Sequence, residues 1–215
     1  YEMADYARAL GFAATVRVCG TVDLLRRLVA NDLPVLVETW YVDDEGEQMG
    51  HYRLITGYDD AAQQFTTVDS LHVEELVLSY QALDELWRAF NRLFLVIAPP
   101  DLQPQVAEIL GPHMDAEYAF QAALETARVE ATGPPAPCVA YVNCEDAQMF
   151  AWFNAGSSLV ALGEYEAAAS AFDQARALGV PFRMIWYQFG PYEAYYAVGR
   201  YEDVIALADE TLRIA

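Results

Sequence analysis

The chain has 215 residues, 55% of them hydrophobic, which is enough apolar surface for one large or two small buried cores. Against 12 basic residues stand 32 acidic ones, a net charge of -20, so a phosphate backbone would be repelled and nucleic-acid binding is set aside. The longest apolar runs, such as LFLVIA at 93–98, fall short of the roughly 20 residues that span a bilayer, so no membrane insertion is expected.

Up to residue 98 the hydrophobic period alternates between helix and strand. YEMADYARAL is an amphipathic helix closed by Gly11, AATVRV a short strand, and TVDLLRRLVAND a helix with Thr21 at its N-cap and Asp23 in its first turn. LPVLVETWY, HYRLITGY and QFTTVDS follow, rich in β-branched and aromatic residues. YQALDELWRAF then reads as a helix and RLFLVIA as a last strand, which makes residues 1–98 an α+β unit with a mainly antiparallel sheet. PPDLQP (99–104) breaks this pattern, and 99–114 is expected as a linker to an all-α unit at 115–215.

In that last unit Trp152, Gly156, Leu159, Gly163, Tyr165, Ala168, Phe172, Ala175 and Pro181 follow the spacing of a helical hairpin repeat, and Trp186 and Gly190 recur 34 residues after Trp152 and Gly156. Gly199 and Tyr201 lie 36 residues after Gly163 and Tyr165, so the second copy carries two extra residues. The pattern resembles the tetratricopeptide repeat. That resemblance implies a peptide or protein partner. The aromatic stretch MIWYQFGPYEAYY (184–196) could line a groove for it, although packing between helices is the commoner use of such a stripe.

The hairpin GHYRLITGYDDAAQQFTTVDS (50–70) holds the candidate chemistry. A turn centred on Asp60 sets His51 opposite Asp69, with Cβ atoms about 4.5–5.5 Å apart, and a slip of one would set Ser70 there instead. A carboxylate against an imidazole fixes its tautomer and suits it to take a proton from a nucleophile, but the same pair also occurs for structural reasons alone. Three cysteines at positions 19, 138 and 144 have no metal-ligand spacing, and His72 and His113 lack matching ligands, so neither metal nor cofactor is expected. A bridge between Cys138 and Cys144 remains open.

GHYRLITGYD followed by TVDS resembles the histidine and aspartate motifs of papain-like cysteine peptidases related to the bacteriocin-processing, double-glycine leader peptidases. The resemblance implies a partial papain-like fold over residues 1–98, with His51 as general base and Asp69 as its orienting partner. In such enzymes the nucleophilic cysteine opens a long helix, preceded by an oxyanion-hole glutamine, well upstream of the histidine. No such segment precedes His51 here. The chain begins at Tyr1 rather than Met, so the expectation is a portion of a longer bacterial protein, inactive on its own. Cys19 sits just ahead of a helix, but only 32 residues separate it from His51 and no glutamine precedes it. The competing expectation is a non-catalytic binding scaffold on a degenerate peptidase fold. The relatives lean towards an extracytoplasmic location.

Overall fold

The computed structural model describes residues 2–42, 46, 48–71, 75–134 and 146–214. These form an α+β assembly in two compact units, one of Tyr1–Trp40 with His51–Ala119, the other of Tyr41–Gly50 with Phe120–Ala215.

The first unit is built on a six-stranded sheet. Its strands are β1 (Ala13–Arg17), β2 (Val35–Val42), β3 (Gln48–Asp59), β4 (Gln64–Asp69), β5 (Leu76–Ser79) and β6 (Phe94–Ala98), in the order β1-β6-β2-β3-β4-β5. The pairs β1–β6, β2–β6, β3–β4 and β4–β5 are antiparallel. The helices before the second unit are α1 (Glu2–Ala9), α2 (Val22–Val29), α3 (Tyr80–Trp87) and α4 (Gln103–Leu110). Two of them start on side-chain caps that offset unpaired amides of the first turn: Thr21 accepts from Leu24 N at 3.1 Å, and Ser79 accepts from Ala82 N at 3.1 Å.

One face of the sheet and these helices enclose the core. Leu24, Leu25 and Leu28 of α2, Leu83 and Trp87 of α3, and Val106, Ile109 and Leu110 of α4 pack on Val35, Val37, Ile55, Phe65, Phe94 and Val96 of the strands. The stretch expected as a linker is therefore part of this core. Pro100 opens a 3-10 turn and Pro104 falls in the first turn of α4, where a missing amide costs no helical hydrogen bond, so these prolines begin a helix instead of uncoupling two domains.

The second unit is helical over α6 (Asp146–Ala161), α7 (Tyr165–Ala177), α8 (Phe182–Tyr187), α9 (Gly190–Ala197) and α10 (Tyr201–Ile214). The end of α5 (Ala116–Thr132) leads into it. Phe172 of α7 is fully buried between two glycines: a Cβ on Gly156 of α6 would lie 2.6 Å from its ring, and one on Gly190 of α9 would lie 2.9 Å from it. The 34-residue interval between those glycines thus has a direct structural meaning. Gly163 and Gly199 both have φ of +77° and end α6 and α9 in the same way, with the next amide reaching back to Leu159 O and to Tyr195 O. The stretch in which Trp186 and Gly190 recur is interrupted between α8 and α9, and the two extra residues fall between Gly190 and Gly199.

The aromatic stripe at 184–196 divides in two. Met184, Ile185 and Tyr195 are buried, whereas Trp186, Phe189 and Tyr196 are exposed.

Candidate functional site

Strand β3 turns His51, Arg53 and Ile55 to the buried face of the sheet, and β4 turns Phe65, Thr67 and Asp69 to the same face. The turn between them covers residues 60–63. Its first amides are capped by Asp59, whose Oδ1 accepts from Ala61 N at 2.8 Å and Ala62 N at 3.0 Å. Asp60 is held by Arg26 of α2 and by the Tyr80 hydroxyl of α3, which donates to it at 2.8 Å.

From this turn Asp59 pairs with Gln64, Tyr58 with Phe65 and Gly57 with Thr66. Continued without a break, that register would set Leu54 opposite Asp69 and turn the carboxylate to the wrong face. A bulge at Thr56 prevents this. Beyond it Ile55 faces Thr67, Leu54 faces Val68 and Arg53 faces Asp69. The expected register, with His51 or its slipped alternative directly across, is therefore corrected. The loop is centred between residues 61 and 62, and the bulge returns one residue, so the total shift is even. His51 keeps Asp69's face and reaches it as a diagonal neighbour, a separation a long ring can span.

The contacts close a ring. His51 Nε2 lies 2.6 Å from Asp69 Oδ1, and Arg53 Nε donates to Asp69 Oδ2 at 2.8 Å. Arg53 Nη1 also donates to Thr39 Oγ1 on β2, and that hydroxyl donates to His51 O at 2.9 Å. Leu71 N donates to Asp69 Oδ1 at 2.9 Å. The Asp69 side chain is wholly buried, and those of His51 and Arg53 are 10% and 4% exposed, so each hydrogen bond acts in a low local dielectric. Burial alone pushes the Asp69 carboxyl up, but the Leu71 amide, His51 and Arg53 together outweigh it and hold the group below the usual carboxylate range.

Cys19 is not brought to this pair. It lies past the end of β1 with φ of 60°, its amide donating to Asn91 O at 2.9 Å. Strands β6 and β2 intervene before β3, three spacings or about 14 Å. His113 has a structural setting, its carbonyl accepting from Arg17 Nε at 2.8 Å and its ring meeting Tyr118 edge-on at 5.5 Å. His72, Cys138 and Cys144 lie outside the described residues. Among the described residues no group of three or more His, Cys, Asp or Glu side chains is placed to hold a metal ion.

Sequence reasoning passed over Arg53 and Thr39. Their signal lay in the period of two: Arg53 shares a face with His51 and Ile55, and an inward arginine on a core strand demands an anion.

Residues 2–93 match the Peptidase_C39 like family. A crystal structure described as that of a C39-like peptidase from Bacillus anthracis is similar with a TM-score of 0.34 and 14% identity, over 42% of this chain and 54% of that one. The chain thus spans about half the length of that structure. No curated protein matches it. The family match relates the first unit to papain-like peptidases, and it includes His51 and Asp69.

Proposed function

We propose that the chain is a portion of a bacterial cysteine-peptidase-like protein in which His51 is the general base, Asp69 orients it, and tetratricopeptide-like hairpins bind a peptide or protein. The observation that carries the reading is the buried contact of 2.6 Å between His51 Nε2 and Asp69 Oδ1, within the stretch matched to the family. The reaction is amide hydrolysis. A cysteine of the complete protein other than Cys19 gives its proton to Nδ1 and attacks the scissile carbonyl, and the protonated ring then returns the proton to the leaving amine, forming a thioester that water hydrolyses.

Assay of the complete protein against a peptide library tests this. His51→Ala is expected to lower kcat/KM by about 10²–10⁴-fold, the usual share of a general base. Turnover that survives His51→Ala refutes the assignment. A thiol-reactive probe gives a second reading of the same point: rapid labelling of one cysteine, slowed by His51→Ala, is expected of a peptidase, whereas uniformly slow labelling indicates a binding scaffold.

A further inference from the structure

Helix α10 carries an apolar stripe on its open side. Tyr201, Ile205, Ala208 and Leu212 recur at the three- and four-residue steps of one helical face, and Tyr201, Ile205 and Leu212 are 56%, 62% and 74% exposed. The helix packs on its hairpin through a different side: Leu207 is buried, and the hydroxyl of buried Thr211 lies 2.9 Å from that of Tyr192 on α9. The stripe is therefore not what attaches α10 to the fold. At its first turn it is widened by Tyr196 of α9, 66% exposed, whose ring centroid lies 5.3 Å from that of Tyr201. A continuous row of large apolar side chains left in water, beside a packing side that is already filled, points to an occupant.

Charge complementarity selects the occupant. Glu193, one turn before Tyr196, and Glu202, next to Tyr201, are both exposed, and neither has a cationic partner among the described residues. The neighbouring arginines are engaged elsewhere, Arg200 with Asp173 and Asp203, and Arg176 with Glu210. Asp209 stands one turn before Arg213, so the uncompensated negative charge gathers at the tyrosine end. Two phenol rings flanked by two carboxylates suit a guanidinium or ammonium group, which the ring faces attract and the carboxylates pair. The same unit already uses a tyrosine in this way, with Arg200 at 4.4 Å from the ring centre of Tyr195. From Tyr201 to Leu212 the stripe runs about 16 Å, the length of three turns of a facing helix. A second copy of the chain would bring the same carboxylates, and a further charge of -20, against this face, so it fits poorly.

We propose that this face binds a basic amphipathic helix of a partner protein, with the helix's apolar side on Ile205 and Leu212 and a lysine or arginine over the Tyr196 and Tyr201 rings. This rests on the reading of the helical hairpins as a peptide- or protein-binding unit and names the kind of partner they take.

Fluorescence anisotropy of the 215-residue chain tests it, with a labelled amphipathic peptide of leucine and lysine about 14 residues long as probe and its leucine and glutamate counterpart as control. Saturable binding of the lysine peptide alone is expected at about 0.15 M salt. Glu193→Gln combined with Glu202→Gln should weaken it about tenfold, the effect of losing two exposed ion pairs. Glu108→Gln combined with Glu125→Gln makes the same change of charge at exposed sites on α4 and α5, and should alter binding by less than about twofold. Ile205→Asp separates a seated helix from bulk attraction. Its added negative charge would tighten a purely electrostatic association, whereas loss of the apolar contact should weaken a seated helix about tenfold. Absent binding, equal losses in the two glutamine pairs, or binding to Ile205→Asp that is unchanged or tighter overturns the proposal. So does a dimer of the unsubstituted chain in sedimentation that Ile205→Asp dissociates, since a second copy would then be the occupant. Panning a random peptide library on the same chain keeps this failure apart from failure of the binding unit. Binders without basic residues overturn the proposal alone, and the absence of any binder sinks both.

Discussion

Two buried carboxylates on the strands that flank β3 show how environment divides one chemistry. Asp69 has an arginine, an imidazole and a backbone amide, and it ionises more readily than a free aspartate. Glu38 on β2 is 6% exposed and is pushed up to about 7, because burial outweighs a hydrogen bond with Tyr52. A raised acid favours the folded state fully below its unfolded value near 4.3, and that contribution is lost as pH rises to about 7. Glu38→Gln should therefore raise the melting temperature at pH 8, by the equivalent of on the order of 2 kcal/mol, and give no gain at pH 4. Thermal denaturation at the two values checks it. An equal gain at both would mean that the glutamate's ionisation is not what limits stability.

The hairpin of β3 and β4 places its functional side chains by counting. Deleting Thr56 removes the unpaired residue and leaves Ile55 opposite Thr67 and Arg53 opposite Asp69, so the ring around His51 should persist. Deleting Val68 shifts Asp69 to face Leu54 and turns it away from His51. That strands a buried arginine, at a cost of about 3–5 kcal/mol. Chemical denaturation of the two deletions should rank them in that order, and equal losses would contradict the parity argument. In the helical unit the corresponding constraint is the gap for Phe172. Gly156→Ala improves helix propensity by about 1 kcal/mol but drives a methyl into that ring, so a net destabilisation of about 1–2 kcal/mol is expected. In a Phe172→Leu background the same substitution should cost less, and a double-mutant cycle measures the difference.

At the scale of the whole chain the dominant quantity is the charge of -20. Self-repulsion is screened over about 8–10 Å at 0.10–0.15 M salt, so the melting temperature should rise between low and moderate ionic strength, while anisotropy titrations with duplex DNA at low salt should show no binding. Much of this architecture was legible beforehand for physical reasons. Strands β2, β3, β4 and β6 repeat β-branched and aromatic residues, and the caps Thr21 and Ser79 stand where helices begin. What escaped depended on tertiary context. Prolines 99 and 100 look like a break whether or not Val106 and Ile109 find a core, and β5 is four residues long against a helix cap. The bulge at Thr56 left one trace, Gly57 inside an otherwise β-branched and aromatic strand, but a lone glycine does not say how far the register returns, so the pairing of Arg53 with Asp69 was not counted from the turn. Phe172 ties two hairpins of the helical half together. A single phenyl fills the space that two absent methyls vacate on successive hairpins, so neither hairpin can be excised and regrafted as an independent cassette. The two residues by which the second copy is longer lie after Gly190, the second glycine of that shared wedge.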